Sequence, residues 1–316
     1  MSTIVIASLE AGEGRTTAGA GIGASLAGRG RSVRLLRVRS AESADPPAED
    51  DARSLAGVPG CAAARNALSE QEALGDVAGA GDAVCIVEAP AGDPAALAAR
   101  LSARVALVTS RCDEQRLSDL AAQAWSLGEA LAGVVVTRHP ERASAAAREA
   151  LATGGLTCLG IVPEDRLLAG PSVRELAEAL RASRLVQDSD EDEAVEFVML
   201  GPISADPGQP YFLQHGSKAV LNRFDKMDLH LAALATEPAC LILTGGQRPS
   251  PYLLDRVAGG DSGVTVLLAP ESTVRAMEVV DELYTRTRFA GGRKIARAGE
   301  LYRERLDVER LLAALS

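Results

Sequence analysis

Ser8-Leu9-Glu10-Ala11-Gly12-Glu13-Gly14-Arg15-Thr16-Thr17 follows an apolar run at 3–7 and precedes a helical pattern over 16–29. This order of strand, glycine-rich turn and helix gives the turn a chemistry. Amides at the start of a helix have no partner within it, and the helix dipole adds positive potential there, so the turn favours an anion such as phosphate. Gly12 and Gly14 can adopt the positive φ angles that wrap backbone around such a ligand. Thr16 stands where a phosphate-loop hydroxyl meets Mg²⁺, and Thr17 follows as a helix residue. The candidate phosphate contacts are Glu10, Ala11, Gly12, Glu13, Gly14, Arg15, Thr16 and Thr17. Two positions depart from the Walker pattern: Leu9 or Ser8 occupies the place of the first glycine, and Arg15 that of the lysine. Arginine keeps the charge but is longer, planar and suited to bidentate bonding, so binding is better supported than catalysis. A glycine-rich turn that binds nothing is the competing reading.

Outward from the turn, apolar runs at 33–38, 83–87, 105–108, 133–137 and 158–162 alternate with helical patterns at 93–103, 114–130, 140–153 and 173–184. Near-continuous apolar strands separated by helices predict βαβ units and a doubly wound parallel sheet of the P-loop α/β class. An acidic run, Val186-Gln187-Asp188-Ser189-Asp190-Glu191-Asp192-Glu193, then breaks the pattern and reads as a solvated linker. The predicted organisation is a nucleotide-binding domain over 1–185, a linker over 186–194, and a smaller α/β domain over 195–316. The second domain has strands at 196–200, 218–221, 240–244 and 264–268, helices at 227–235, 250–257 and 272–282, and a helical tail at 295–315. A chain of 316 residues fits two cores better than one.

Composition narrows the function. Apolar residues make up 47% and charged residues 24%, as in folded globular proteins. A net charge of −10 and only 3% aromatics argue against nucleic acid as partner, because that affinity rests on clustered Lys and Arg and on stacking platforms. No apolar run is long enough to span a bilayer, and the N-terminus lacks a signal-peptide layout, so a cytoplasmic protein with no membrane partner is expected. The five cysteines and three histidines have no metal-ligand spacing.

Two acidic residues complete a possible Mg²⁺ site with Thr16. Glu88 ends a strand, at the mouth of the sheet where ligands of such folds bind, and Asp51 follows the second strand. Asp51 is equally readable as a helix N-terminal acid. Arg15, Arg37 and Arg39 are available cations, each also readable as a surface or inter-strand residue.

The phosphate turn, Val87-Glu88-Ala89-Pro90-Ala91-Gly92, the stretch 131–138 and above all Leu159-Gly160-Ile161-Val162-Pro163-Glu164-Asp165-Arg166 with its continuation to 176 resemble the dethiobiotin-synthetase-like domain at the N-terminus of long phosphotransacetylases. Through 218–233 and Leu241-Ile242-Leu243-Thr244-Gly245-Gly246, the second half resembles the DRTGG domain that follows it there. The resemblance stops where the acetyltransferase domain would begin. It implies ATP with Mg²⁺ held by Arg15, Thr16, Asp51 and Glu88, and it puts Thr137 at the base-reading position. In the second domain it implies a turn built from Asp225, Asp228, Thr244, Gly245 and Gly246. It also implies a homo-oligomer formed through that domain, and a phosphotransacetylase or other metabolic enzyme as partner. Three functions remain: a nucleotide-responsive regulatory or interaction protein, an ATP-dependent ligase or amidase of the dethiobiotin synthetase and cobyrinic acid diamide synthase type, and a degenerate domain that binds no nucleotide and serves only as a scaffold.

Overall fold

The computed structural model describes residues 2–40, 46–186, 191–202, 211–259, 263–284 and 286–315. It divides into two compact units, Met1–Asp165 with Lys294–Ser316, and Arg166–Arg293. The second unit thus begins well before residue 185, and the helical tail belongs to the first unit.

In the first unit, β1 (Thr3–Ala7), β2 (Val33–Arg37), β3 (Ala62–Ala63), β4 (Val84–Glu88), β5 (Arg104–Thr109), β6 (Leu131–His139) and β7 (Cys158–Pro163) form one sheet in the order β3-β2-β4-β1-β5-β6-β7. Every named pairing in it is parallel. The strands are apolar along their length because both faces are covered, and β1 and β4 are buried at every position. The helices are α1 (Arg15–Ala27), α2 (Pro46–Ala56), α3 (Glu70–Ala78), α4 (Ala95–Leu101), α5 (Glu114–Leu127) and α6 (Ser144–Thr153). Neither α2 nor α3 is among the helices expected from the sequence pattern.

Helix α1 is short of bulk, Arg-Thr-Thr-Ala-Gly-Ala-Gly-Ile-Gly-Ala-Ser-Leu-Ala, and it is packed on more than one side. A Cβ on Gly21 would fall 2.3 Å from the ring of Tyr302, which is wholly buried. That ring comes from the tail. Past Lys294 the chain rejoins the first unit, where Asp307 N–H donates to the Leu159 carbonyl at 2.7 Å along the edge strand β7.

The second unit holds α7 (Arg166–Ala169), α8 (Val173–Ala179), β8 (Ser183–Val186), β9 (Phe197–Leu200), β10 (Lys218–Arg223), α9 (Met227–Leu234), β11 (Cys240–Thr244), α10 (Pro251–Ala258), β12 (Thr265–Leu268) and α11 (Thr273–Leu283). The tail helices are α12 (Gly292–Arg305) and α13 (Val308–Leu315). The second sheet runs β8-β12-β11-β10-β9, with only β8 antiparallel. Its faces carry two cores, one lined by Val173, Leu176 and Val280, the other by Leu253, Val257 and Leu243.

Two sequence expectations fail here for local reasons. The helix expected over 173–184 ends early, since Arg181 turns left-handed at φ 48° and the chain leaves as strand β8. Of the expected linker, residues 187–190 lie outside the described residues, but Glu191 is buried rather than solvated. It accepts two bonds from Arg184, at 2.5 and 3.0 Å, and faces Arg174 at 3.6 Å. An acidic side chain can be buried when guanidinium groups meet it, and no linear pattern signals that pairing.

Candidate functional site

The turn after β1 adopts the predicted conformation. Gly12 and Gly14 have φ of 78° and 89°. Gly14 is the N-cap of α1 and no side chain caps the helix there. Its carbonyl accepts the first helical bond, from Ala18 N–H at 2.9 Å, so the amides preceding Ala18 have no bond within α1. A Cβ on Gly12 would meet nothing within 4 Å, so the space beside it is open. Glu10, Ala11 and Gly12 are exposed, Gly14 and Thr17 half-buried, and Glu13, Arg15 and Thr16 buried.

Parallel pairing builds the acidic part of the site. Register sets Ile6 of β1 and Arg37 of β2 on either side of Glu88 at the end of β4. Thr16 Oγ1 donates to Glu88 Oε1 at 2.9 Å. Arg37 Nε lies 3.3 Å from Asp51 Oδ2 and 3.5 Å from Glu88 Oε1. Arg15 Nη1 donates to the Ala89 carbonyl at 2.8 Å, one residue past Glu88. Thr16, Asp51 and Glu88, which are far apart in sequence, therefore converge. Burial pushes the Glu88 carboxyl up to about 7 against the pull of Arg37, and burial likewise raises Asp51. Glu88 Oε2 is buried and has no hydrogen-bond partner. Two carboxylates and a hydroxyl are the hard oxygen donors a divalent cation takes, and an orphaned carboxylate oxygen fits such a ligand. Among the described residues there is no cluster of three or more His, Cys, Asp or Glu placed to hold a metal.

Thr137, the expected base-reading residue, makes a contact beneath the turn. Its hydroxyl donates to the Glu13 carbonyl at 2.8 Å, and its Oγ1 would sit 3.3 Å from a Cβ on Gly14. With that bond Thr137 braces the loop. Three further contacts to the turn escaped sequence reasoning. Arg138 Nη2 donates to the Gly12 carbonyl at 2.5 Å. Arg116, almost wholly buried at the start of α5, faces Glu10 at 2.8 Å and Glu13 at 3.2 Å. The Ser110 amide donates to the Glu13 carboxylate. The acidic residues of the turn are thus directed away from it toward the loop after β5. The only linear hint was position: Ser110 and Arg138 lie at the carboxyl ends of β5 and β6, on the same edge as the turn, and Arg116 lies in the first turn of the helix that follows β5.

In the second unit the expected turn is occupied by its own structure. Asp225 takes both its bonds from Arg223, at 2.7 and 2.5 Å, and that hydrogen-bonded guanidinium holds its carboxyl below the usual range. Asp228 lies in the first turn of α9. Thr244 Oγ1 is 2.7 Å from Thr273 Oγ1. Gly245 and Gly246, at φ 96° and 69°, donate their amides to the carbonyls of Glu271 and Ala269 at 2.8 and 3.1 Å. Those amides join the loops after β11 and β12.

Comparison with known proteins gives a DRTGG domain over residues 175–283. Similar solved structures include the CBS and DRTGG domains of the regulatory region of Clostridium perfringens pyrophosphatase, complexed with the activator diadenosine tetraphosphate. It is 14% identical, with 38% of this chain and 51% of that chain covered and a TM-score of 0.32. A nucleotide-binding protein from Archaeoglobus fulgidus in complex with ADP is 14% identical over 52% of this chain and 82% of that one, TM-score 0.39. The cell division protein MinD of Aquifex aeolicus is 18% identical over 53% and 84%, TM-score 0.39. The chain thus spans about half of the pyrophosphatase fragment it matches. No helix among the described residues is long and apolar enough to cross a membrane.

Proposed function

We propose that this protein binds a nucleotide, ATP in the first instance, at the turn Glu10 to Thr17, and acts as a regulatory or interaction protein with weak or no hydrolysis. One observation carries the reading: two glycines with positive φ shape the turn at the start of α1, and Thr16 in that helix is hydrogen-bonded to the strand-end acid Glu88. Thr16, Asp51 and Glu88 would hold Mg²⁺, and the ion would offset phosphate charge there. The DRTGG domain supports a regulatory role and, on the resemblance above, a homo-oligomer formed through it. A phosphotransacetylase or another metabolic enzyme in the cytoplasm is the partner that resemblance suggests.

The ligase reading asks for more than binding. It needs cationic charge aimed at a transferring phosphoryl group, and a general base. Arg15 and Arg37 instead engage the Ala89 carbonyl and the Asp51 and Glu88 carboxylates.

Calorimetry with ATP, ADP and GTP, with and without Mg²⁺, tests the proposal. Saturable binding is expected for wild type, weakened at least about tenfold in Thr16→Ala and Glu88→Ala, the loss typical of one charge-assisted contact. No heat with any nucleotide would remove both readings, and steady phosphate release would restore the ligase.

A further inference from the structure

We propose that Arg37 is a built-in counter-cation that competes with a divalent ion for Asp51 and Glu88, so that the ion binds only together with nucleotide phosphate. The inference rests on the nucleotide-site reading above and concerns how that site is loaded.

Arg37 ends β2, directly beside Glu88 in register, and its side chain is 5% exposed. It lies within 3.5 Å of both carboxylates. Its Nη1 donates to the Val38 carbonyl at 2.5 Å, which ties the guanidinium to the end of its own strand. With Arg15 anchored on Ala89, two guanidinium groups stand against two acids, Glu88 buried and Asp51 half-buried. Carboxylates withdrawn from water must be compensated, and here fixed guanidinium groups already do so. Arginine stays charged at every working pH, so the positive side of this pairing does not titrate.

A Mg²⁺ ion gains most from carboxylates that lack a counter-charge, and it keeps several waters unless phosphate oxygens replace them. Added to a cluster whose acids are already matched by guanidinium charge, it brings two positive charges with nothing further to offset them. Phosphate bound at the adjoining turn supplies both the missing negative charge and additional oxygens. Glu88 Oε2, buried and unpartnered, is the acceptor Arg37 leaves open for that step. Arg37 therefore makes the acidic pair stable without metal and makes metal binding conditional on nucleotide.

The test uses the full chain without nucleotide. Mn²⁺ binding is measured by equilibrium dialysis on wild type, Arg37→Gln and Arg37→Lys, and melting temperature is followed up to about 5 mM Mg²⁺, the range of weak protein sites. Wild type and Arg37→Lys are expected to take up no saturable Mn²⁺ and to melt at an unchanged temperature with Mg²⁺. Arg37→Gln is expected to melt lower, to recover with Mg²⁺, and to bind Mn²⁺ at least about tenfold more tightly, in line with loss of a competing charge. Equal Mn²⁺ affinity in wild type and Arg37→Gln would overturn the proposal, as would a wild-type melting temperature that rises with Mg²⁺ alone. If Arg37→Gln does not fold, the wild-type Mg²⁺ response decides. Failure of ATP to bind wild type, with these metal results as expected, would remove the nucleotide reading and leave the competition intact.

Discussion

Gly12 and Gly14 share a backbone conformation but differ in surroundings, so replacing each with alanine should separate two costs. Both sit at positive φ, 78° and 89°, where an L side chain costs about 1 to 2 kcal/mol. A Cβ on Gly12 meets nothing within 4 Å. On Gly14 it comes within 3.3 Å of Thr137 Oγ1, the group that holds the Glu13 carbonyl at 2.8 Å. Pushing that hydroxyl aside weakens a buried hydrogen bond worth about 1 kcal/mol. Gly14→Ala should therefore cost about 1 kcal/mol more than Gly12→Ala. The difference should vanish in the Thr137→Ala background, because the obstructing hydroxyl and its bond are then both gone. Urea unfolding followed by far-UV circular dichroism on the two single glycine variants, Thr137→Ala and the two double variants closes the cycle. Equal costs for the two glycines in the native background would refute the reasoning. So would an extra cost at Gly14 that persists in the Thr137→Ala background, since it would then come from the backbone alone.

Two further outcomes are expected elsewhere in the molecule. In α1, Gly21→Ala drives a methyl to 2.3 Å from the buried Tyr302 ring and should destabilise by at least about 1 to 3 kcal/mol. Gly19→Ala has only Leu55 Cδ2, 3.8 Å away, and should be neutral or stabilising by up to about 1 kcal/mol, so thermal unfolding that ranks them the other way would sink the packing account. His230, wholly buried with Nε2 on the Arg223 carbonyl at 3.0 Å, has its pKa lowered by burial, against a smaller upward pull from that carbonyl and from Asp228 and Asp225. A depressed pKa favours folding above the unfolded value of 6.5, and this stability is lost as pH falls below it. Urea midpoints between about pH 7.5 and pH 5 should drop in wild type and drop less in His230→Gln, which keeps a donor without the titration; parallel slopes would count against it.

Much of the first unit was legible in the linear sequence. Parallel strands buried on both faces are apolar throughout, and that signal needs no knowledge of neighbours, so the alternation of strands and helices could be read directly. The glycines at 12 and 14 were legible for a similar reason, since a tight turn before a helix imposes its demand on two nearby backbone positions. The short helix α2 was not, because its Pro-Pro-Ala-Glu-Asp-Asp start reads equally as an acidic loop. Nor was the end of α8, which depends on one left-handed residue, Arg181.

The sequence by itself thus determined the order of features along the chain: a glycine-rich turn before a helix, an acid at a strand end, and a second α/β region bearing the Thr244-Gly245-Gly246 turn. Tertiary structure alone decided what those residues do together. Register between β2 and β4 set Arg37 against Glu88, and packing of α2 brought Asp51 to the same guanidinium. Folding of β6 beside β5 turned Thr137 into a brace under Gly14, and return of the tail put Tyr302 against the bare face of α1. The physical reason is range. Backbone conformation and burial periodicity follow from neighbours a few residues apart, whereas charge compensation and close packing depend on groups that meet only after the sheet has formed.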